Sequence, residues 1–127
     1  MGQSLLVNVD VESGRKILRT LDSNGIKIKV ALWAHLSRYE DWRLLLASSQ
    51  FDVKDRRDAY ELVFSTLYQA GITVQEAEPI MVFGMKDTFI QDLRRTFSKA
   101  KSVEGMRLGG QVFGNQYVED AYVYRIT

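Results

Sequence analysis

The chain contains no cysteine. That absence removes disulfides, thiolate nucleophiles and every cysteine-based zinc or iron–sulfur site together, and it fits a reducing compartment. Histidine and proline occur once each, as His35 and Pro79. A single imidazole makes a poor metal site, and no metal or cofactor is expected. Long apolar runs are missing as well. Stretches such as Leu44 to Ala47 fall far short of the ~20 residues needed to cross a bilayer. Met1-Gly2-Gln3-Ser4 lacks the basic and apolar regions of a signal peptide. Leu6 stands where a myristoylation pattern needs Ser or Thr. The expectation is a cytoplasmic protein with no membrane contact.

Neither sign of charge is in excess. Seventeen Lys and Arg face sixteen Asp and Glu, a net charge of +1, so no global field advertises a polyanion. Signature motifs are missing too: no His-x-x-x-His, no EF-hand, no kinase set and no phosphate-binding loop with its Lys-Ser/Thr. Four glycines fall between Gly105 and Gly114, but within a hairpin pattern rather than at a strand-to-helix turn, which excludes the dinucleotide reading.

What is present is an ordinary globular composition, 46% hydrophobic and 26% charged over 127 residues, enough for one domain with a substantial core. Residues 3–9 alternate like a strand but are ambiguous. From about Val11, apolar residues Ile17, Leu18 and Leu21 follow a helical period, with Asp10 as N-cap and Asn24-Gly25 as stop. Ile26 to Leu36 alternates as a half-buried strand, with Ile26, Ile28, Val30, Leu32, Ala34 and Leu36 on one face. A five-residue loop then predicts a second strand from Trp42 to about Phe51, placing His35 opposite Arg43 and Trp33 opposite Leu45. Asp52 is read as the cap of a long helix ending at Gly71, Pro79 as the start of a strand over Ile80 to Phe83, and Asp87 as the cap of a third helix. The last residues form a hairpin turning at Gly114-Asn115. The order α-β-β-α-β-α-β-β predicts an α+β fold: one mixed, mostly antiparallel sheet with helices mainly on one face.

The final strand carries adjacent carboxylates, Glu119 and Asp120, where strands usually exclude acids. The hairpin register sets them over Gly110 and Gly109. Alternation sends them to opposite faces, with Asp120 beside Val118, Tyr122 and Tyr124, so they do not share a metal unless a bulge re-aims one. One of them pairing with Arg107 or Arg125 is the simpler reading. His35 is a candidate base or ligand, but no nucleophile accompanies it, which favours a structural role. Asp52-Val53-Lys54 has the acidic-x-Lys form of metal-dependent nuclease cores, with Asp22 as a remote second acid; helix capping explains Asp52 more simply. Arg94, Arg95, Lys99 and Lys101 make the densest basic stretch and suit either a phosphate-contacting patch or the C-terminal end of a helix.

The aromatic residues form the stronger signal. Trp33, on the face opposite the main apolar row, lies in a surface too apolar for solvent, so helices cover it or a protein does. That face, with Trp33, Arg43, Leu45, Tyr122 and Tyr124, is the expected interface of a homodimer or of another protein partner.

Val30-Ala31-Leu32-Trp33, Asp41-Trp42-Arg43-Leu44 and Tyr117 to Arg125 resemble a family of short bacterial proteins with no assigned activity. The resemblance spans the chain from about Glu12 onward and implies a bacterial origin and a free-standing domain. It brings no catalytic residues. The sequence thus favours a non-enzymatic interaction or regulatory module that self-associates over a metal-dependent or nucleic-acid-processing enzyme using Glu119 or Asp120; nucleic acid is not the favoured partner.

Overall fold

The computed structural model describes residues 8–77 and 79–127. The ambiguous 3–9 segment lies outside that range except for Asn8 and Val9, which already belong to helix α1 (Asn8–Ser23). Ile17, Leu18 and Leu21 form its buried stripe. Gly25 stops the helix with φ of 82°, a left-handed angle that favours glycine. Asp10 sits inside the first turn rather than at the cap.

Strand β1 (Val30–Leu36) begins only after a bend at Lys29. The bend changes the face of the preceding residues. Ile26 and Ile28 pack with Trp33 and Ala31, while Val30, Leu32, Ala34 and Leu36 line the other side of the sheet. Strand β2 (Arg43–Ala47) is shorter than its apolar sequence suggested. Ser48 ends it by accepting a hydrogen bond from Gln50 N, which starts a 3-10 turn over Ser49–Phe51. The β1–β2 register places Trp33 opposite Leu44 and Ala34 opposite Arg43. This is one residue away from the expected pairing, because Trp42 belongs to the connection rather than the strand. A slip of one exchanges faces throughout the pairing, so His35 is not beside Arg43, and Leu45 does not share a face with Trp33.

Helix α2 (Arg56–Gln69) is capped by Asp55, whose Oδ1 accepts from Arg57 N at 2.9 Å. The expected cap, Asp52, instead accepts from Met85 N at 3.2 Å. A Cβ at Gly84 would overlap its Oδ1, so a larger residue there would displace the Asp52 carboxylate. Gly71 ends α2 with φ of 87°, and Ile72 is buried behind it. A short helix α3 (Val74–Ala77) follows, opened by a reciprocal box in which Thr73 Oγ1 accepts from Glu76 N and Glu76 Oε2 accepts from Thr73 N. Strand β3 (Ile80–Phe83) starts after Pro79, and α4 (Thr88–Thr96) is capped by Asp87. Lys99 and Lys101 lie beyond the end of α4.

The terminal hairpin turns at Gly114-Asn115 as expected, with β5 (Gln111–Phe113) on β6 (Gln116–Ile126). Two further residues, Arg107–Leu108, form β4 on the same strand and in the same register. Among the described residues the sheet runs β3-β2-β1-β6-β4, with β5 also on β6, and only β2–β3 is parallel. The α+β architecture read from the sequence is the one observed. Helices α1 and α2 cover one face, packing on Ala31, Trp33, Leu44, Leu46 and Tyr124. Helix α4 covers the other, packing on Leu32, Leu45, Phe83 and Val123.

Candidate functional site at the end of the sheet

Strand β6 is bulged twice against β1. His35 pairs with Asp120 but Leu36 with Val118, and Ala31 pairs with Arg125 but Leu32 with Val123. Each bulge inserts a residue and reverses the alternation beyond it. Val118 therefore lies with Val123 on the α4 face, away from Asp120, Tyr122 and Tyr124, which corrects the strict alternation expected there. The opposing glycines are where the sequence placed them. A Cβ on Gly109 would stand 3.0 Å from Glu119 O and 3.9 Å from Asp120 Cα. Backbone fills the space that a side chain would need.

Strand pairing thus brings two sequence candidates, His35 and Asp120, to facing positions. Both are already engaged. Asp120 Oδ2 accepts from Arg107 Nη2 at 2.6 Å, and its Oδ1 accepts from Ala121 N at 2.8 Å. His35 is buried, with Nε2 3.2 Å from Glu40 O and its ring 6.0 Å from that of Trp42. Arg107 also stands 6.0 Å over the Trp42 ring. Glu119 follows Val118 at the bulge. Among the described residues, no group of three or more His, Cys, Asp or Glu side chains could hold a metal ion.

Around this pair the end of the sheet is aromatic and cationic. Tyr39 and Arg43 stack with the guanidinium 4.4 Å from the ring centroid. Arg43 with Trp42, Asp41, Gln75 and Pro79 lines a shallow cleft of about 360 Å³. Tyr122 packs edge-on to Tyr124 at 5.4 Å. The hairpin adds Val112 and Tyr117, cross-strand partners that are 60% and 43% exposed. The Tyr117 carbonyl accepts from Ser37 N, which joins the hairpin to the β1–β2 loop. Tyr39 was not singled out from the sequence. Its spacing of four from Arg43 across a loop signals nothing, because loop geometry, not helical spacing, makes the stack.

The interface expected on the Trp33 face is overturned in part. Trp33, Leu45 and Tyr124 are interior: Trp33 and Tyr124 lie under α1, and Leu45 lies on the opposite, α4 side. Trp33 Nε1 donates to Tyr124 Oη at 3.0 Å and to Asp10 O at 3.1 Å, and Tyr124 Oη donates to Val11 O at 2.6 Å. Burial pushes the Tyr124 phenol up to about 12, against the opposing pull of the Trp33 hydrogen bond. The chain's own helix thus covers this face. Arg43 and Tyr122, the remaining members, are half-exposed and belong to the sheet-end cluster.

The other candidates do not converge. Arg95 pairs with Asp92 at 3.1 Å, and Arg94 Nε donates to Thr127 O at 2.7 Å. Arg94 and Arg95 border a cavity of about 490 Å³, while Lys99 and Lys101 are exposed outside its lining. Asp22 pairs with Arg125 at 2.9 Å, separate from Asp52, so the nuclease-like set is not assembled. No helix among the described residues is long and apolar enough to cross a membrane. No family model, curated protein or solved structure matches the chain.

Proposed function

We propose that this protein is a non-enzymatic interaction module that self-associates through the end of its sheet. The observation carrying the reading is an aromatic and cationic sheet end: half-exposed Trp42 and Tyr122 pack on the α1–α2 side with the exposed Arg107 over the Trp42 ring, and on the α4 side half-exposed Tyr39 stacks with Arg43. Tyr, Trp and Arg dominate binding energy at protein interfaces. The sheet end also carries both charge signs, with Asp41 lining the cleft alongside Arg43 and Asp120 paired to Arg107. A twofold interface is self-complementary, so mixed charge on one patch suits a second copy of this chain.

The enzyme reading has less support. Asp120 spends its oxygens on Arg107 and Ala121 N, and the cleft beside Trp42 is open and shallow. A polyanion is also disfavoured, since Arg95 and Arg94 are engaged locally and net charge is +1. A bacterial, cytoplasmic setting belongs to the same reading, resting on the resemblance of residues 117–125 and the lack of cysteine. Thermal shift with divalent metals, nucleotides and oligonucleotides tests it, because ligands that bind the native state raise its apparent stability. The reading predicts no shift. A Mg²⁺ or Mn²⁺ shift abolished by Asp120→Asn would favour the enzyme instead.

A further inference from the structure

Among the described residues, strand β3 is an edge of the sheet, bonded to β2 alone. Its sequence, Ile80-Met81-Val82-Phe83, has no charge and is rich in strand formers. Such an edge is a template for another strand. Toward β2, the carbonyls of Pro79 and Phe83 accept from Leu44 N and Ser48 N. Backbone groups alternate along a strand, so those of Ile80 and Val82 point to the open side. There, Tyr60 Oη accepts from Val82 N at 3.2 Å, and Arg56 Nη1 donates to Val82 O at 3.1 Å. Both side chains come from the first turns of α2, and the Tyr60 ring is steadied against Phe64 at 5.8 Å.

We propose that Arg56 and Tyr60 form a lock on this edge, and that the occupant they exclude is β3 of a second copy. Two β3 strands meeting antiparallel about a twofold axis at Met81 would pair Ile80 of one with Val82 of the other. Every hydrogen bond of that pairing uses a Val82 N–H or carbonyl. Holding the two polar groups of one residue therefore closes the whole edge. The edge adjoins the sheet-end cleft at Pro79, but Arg56, Tyr60 and Val82 are not among that cleft's lining residues.

The test uses Tyr60→Phe and Arg56→Gln, singly and together, in the full chain. Tyr60→Phe keeps the ring and removes the acceptor, so the Val82 amide should exchange at least about tenfold faster. The double variant should gain, by sedimentation velocity, a concentration-dependent association beyond the wild type's. Trp42→Ala should leave that added step intact, whereas Met81→Lys, which sets like charges at the axis, should remove it. Unchanged Val82 exchange in Tyr60→Phe overturns the lock, as does a folded double variant that sediments like the wild type. If circular dichroism shows the double variant unfolded, the exchange result decides alone.

Discussion

Replacing Gly14 with alanine should destabilise the protein, although helix propensity says the opposite. In a helix interior alanine is favoured over glycine by roughly 1 kcal/mol. Gly14 lies within α1 and is buried against β6 and β1. A Cβ there would overlap Tyr124 Oη, stand 2.6 Å from Trp33 Nε1 and 3.0 Å from Tyr124 Cζ. Neither ring can swing away cheaply, because the two are hydrogen-bonded to each other and to the carbonyls of Asp10 and Val11. Overpacking costs about 1–3 kcal/mol. A shift of α1 also strains those bonds by ~1 kcal/mol in total, so the net loss after the propensity gain is about 1–3 kcal/mol. At the usual entropy of unfolding for a chain of this size, Tm falls by about 4–12 °C. Thermal unfolding followed by circular dichroism reads the change, and near-ultraviolet signals report on Trp33. The cost should shrink in a Tyr124→Phe background, where the overlapping oxygen is gone. A neutral or raised Tm for Gly14→Ala, or simple additivity with Tyr124→Phe, would refute the close-approach argument.

Arg107→Ala should cost only about 0.5 kcal/mol of stability, since its partner Asp120 is partly exposed and surface pairs are weak; chemical denaturation measures it. Asp87→Ala removes the α4 cap and should cost about 1 kcal/mol by the same assay. Tyr124, with its phenol pushed up to about 12, should be the last tyrosine to ionise in an absorbance titration. The sign follows from linkage: a raised folded pKa adds stability that is complete below the ordinary tyrosine range, near 10, and is lost as pH rises toward about 12. Tyr124→Phe should therefore flatten the fall in stability across that alkaline window.

The helices with strong stripes and the hairpin turn at Gly114-Asn115 were legible because period and turn chemistry are local. So was the approach of backbone over Gly109, since a strand glycine needs a reason. The β1–β2 register was not. It depended on whether Trp42 joined the strand, and alternation alone cannot place a hairpin loop boundary. A bulge at the acidic pair was one alternative in the sequence, but the two bulges of β6 could not be placed from it, because they arise from pairing with β1, not from β6 itself. That one omission moved Val118 to the wrong face. The capping box at Thr73 and Glu76 was readable and would have revealed α3. At the site, the facing of His35 and Asp120 required knowing that β6 lies next to β1, a long-range pairing that no local pattern encodes. The burial of Trp33 was half-legible: its face was too apolar for solvent, and α1 proved to be the cover.

Sedimentation equilibrium of the wild type beside Arg43→Glu tests the central claim most directly. A self-associating module predicts a micromolar dimer that Arg43→Glu dissociates without altering the circular dichroism spectrum. A wild type that stays monomeric up to about 100 µM, or a dimer indifferent to Arg43→Glu, would contradict it.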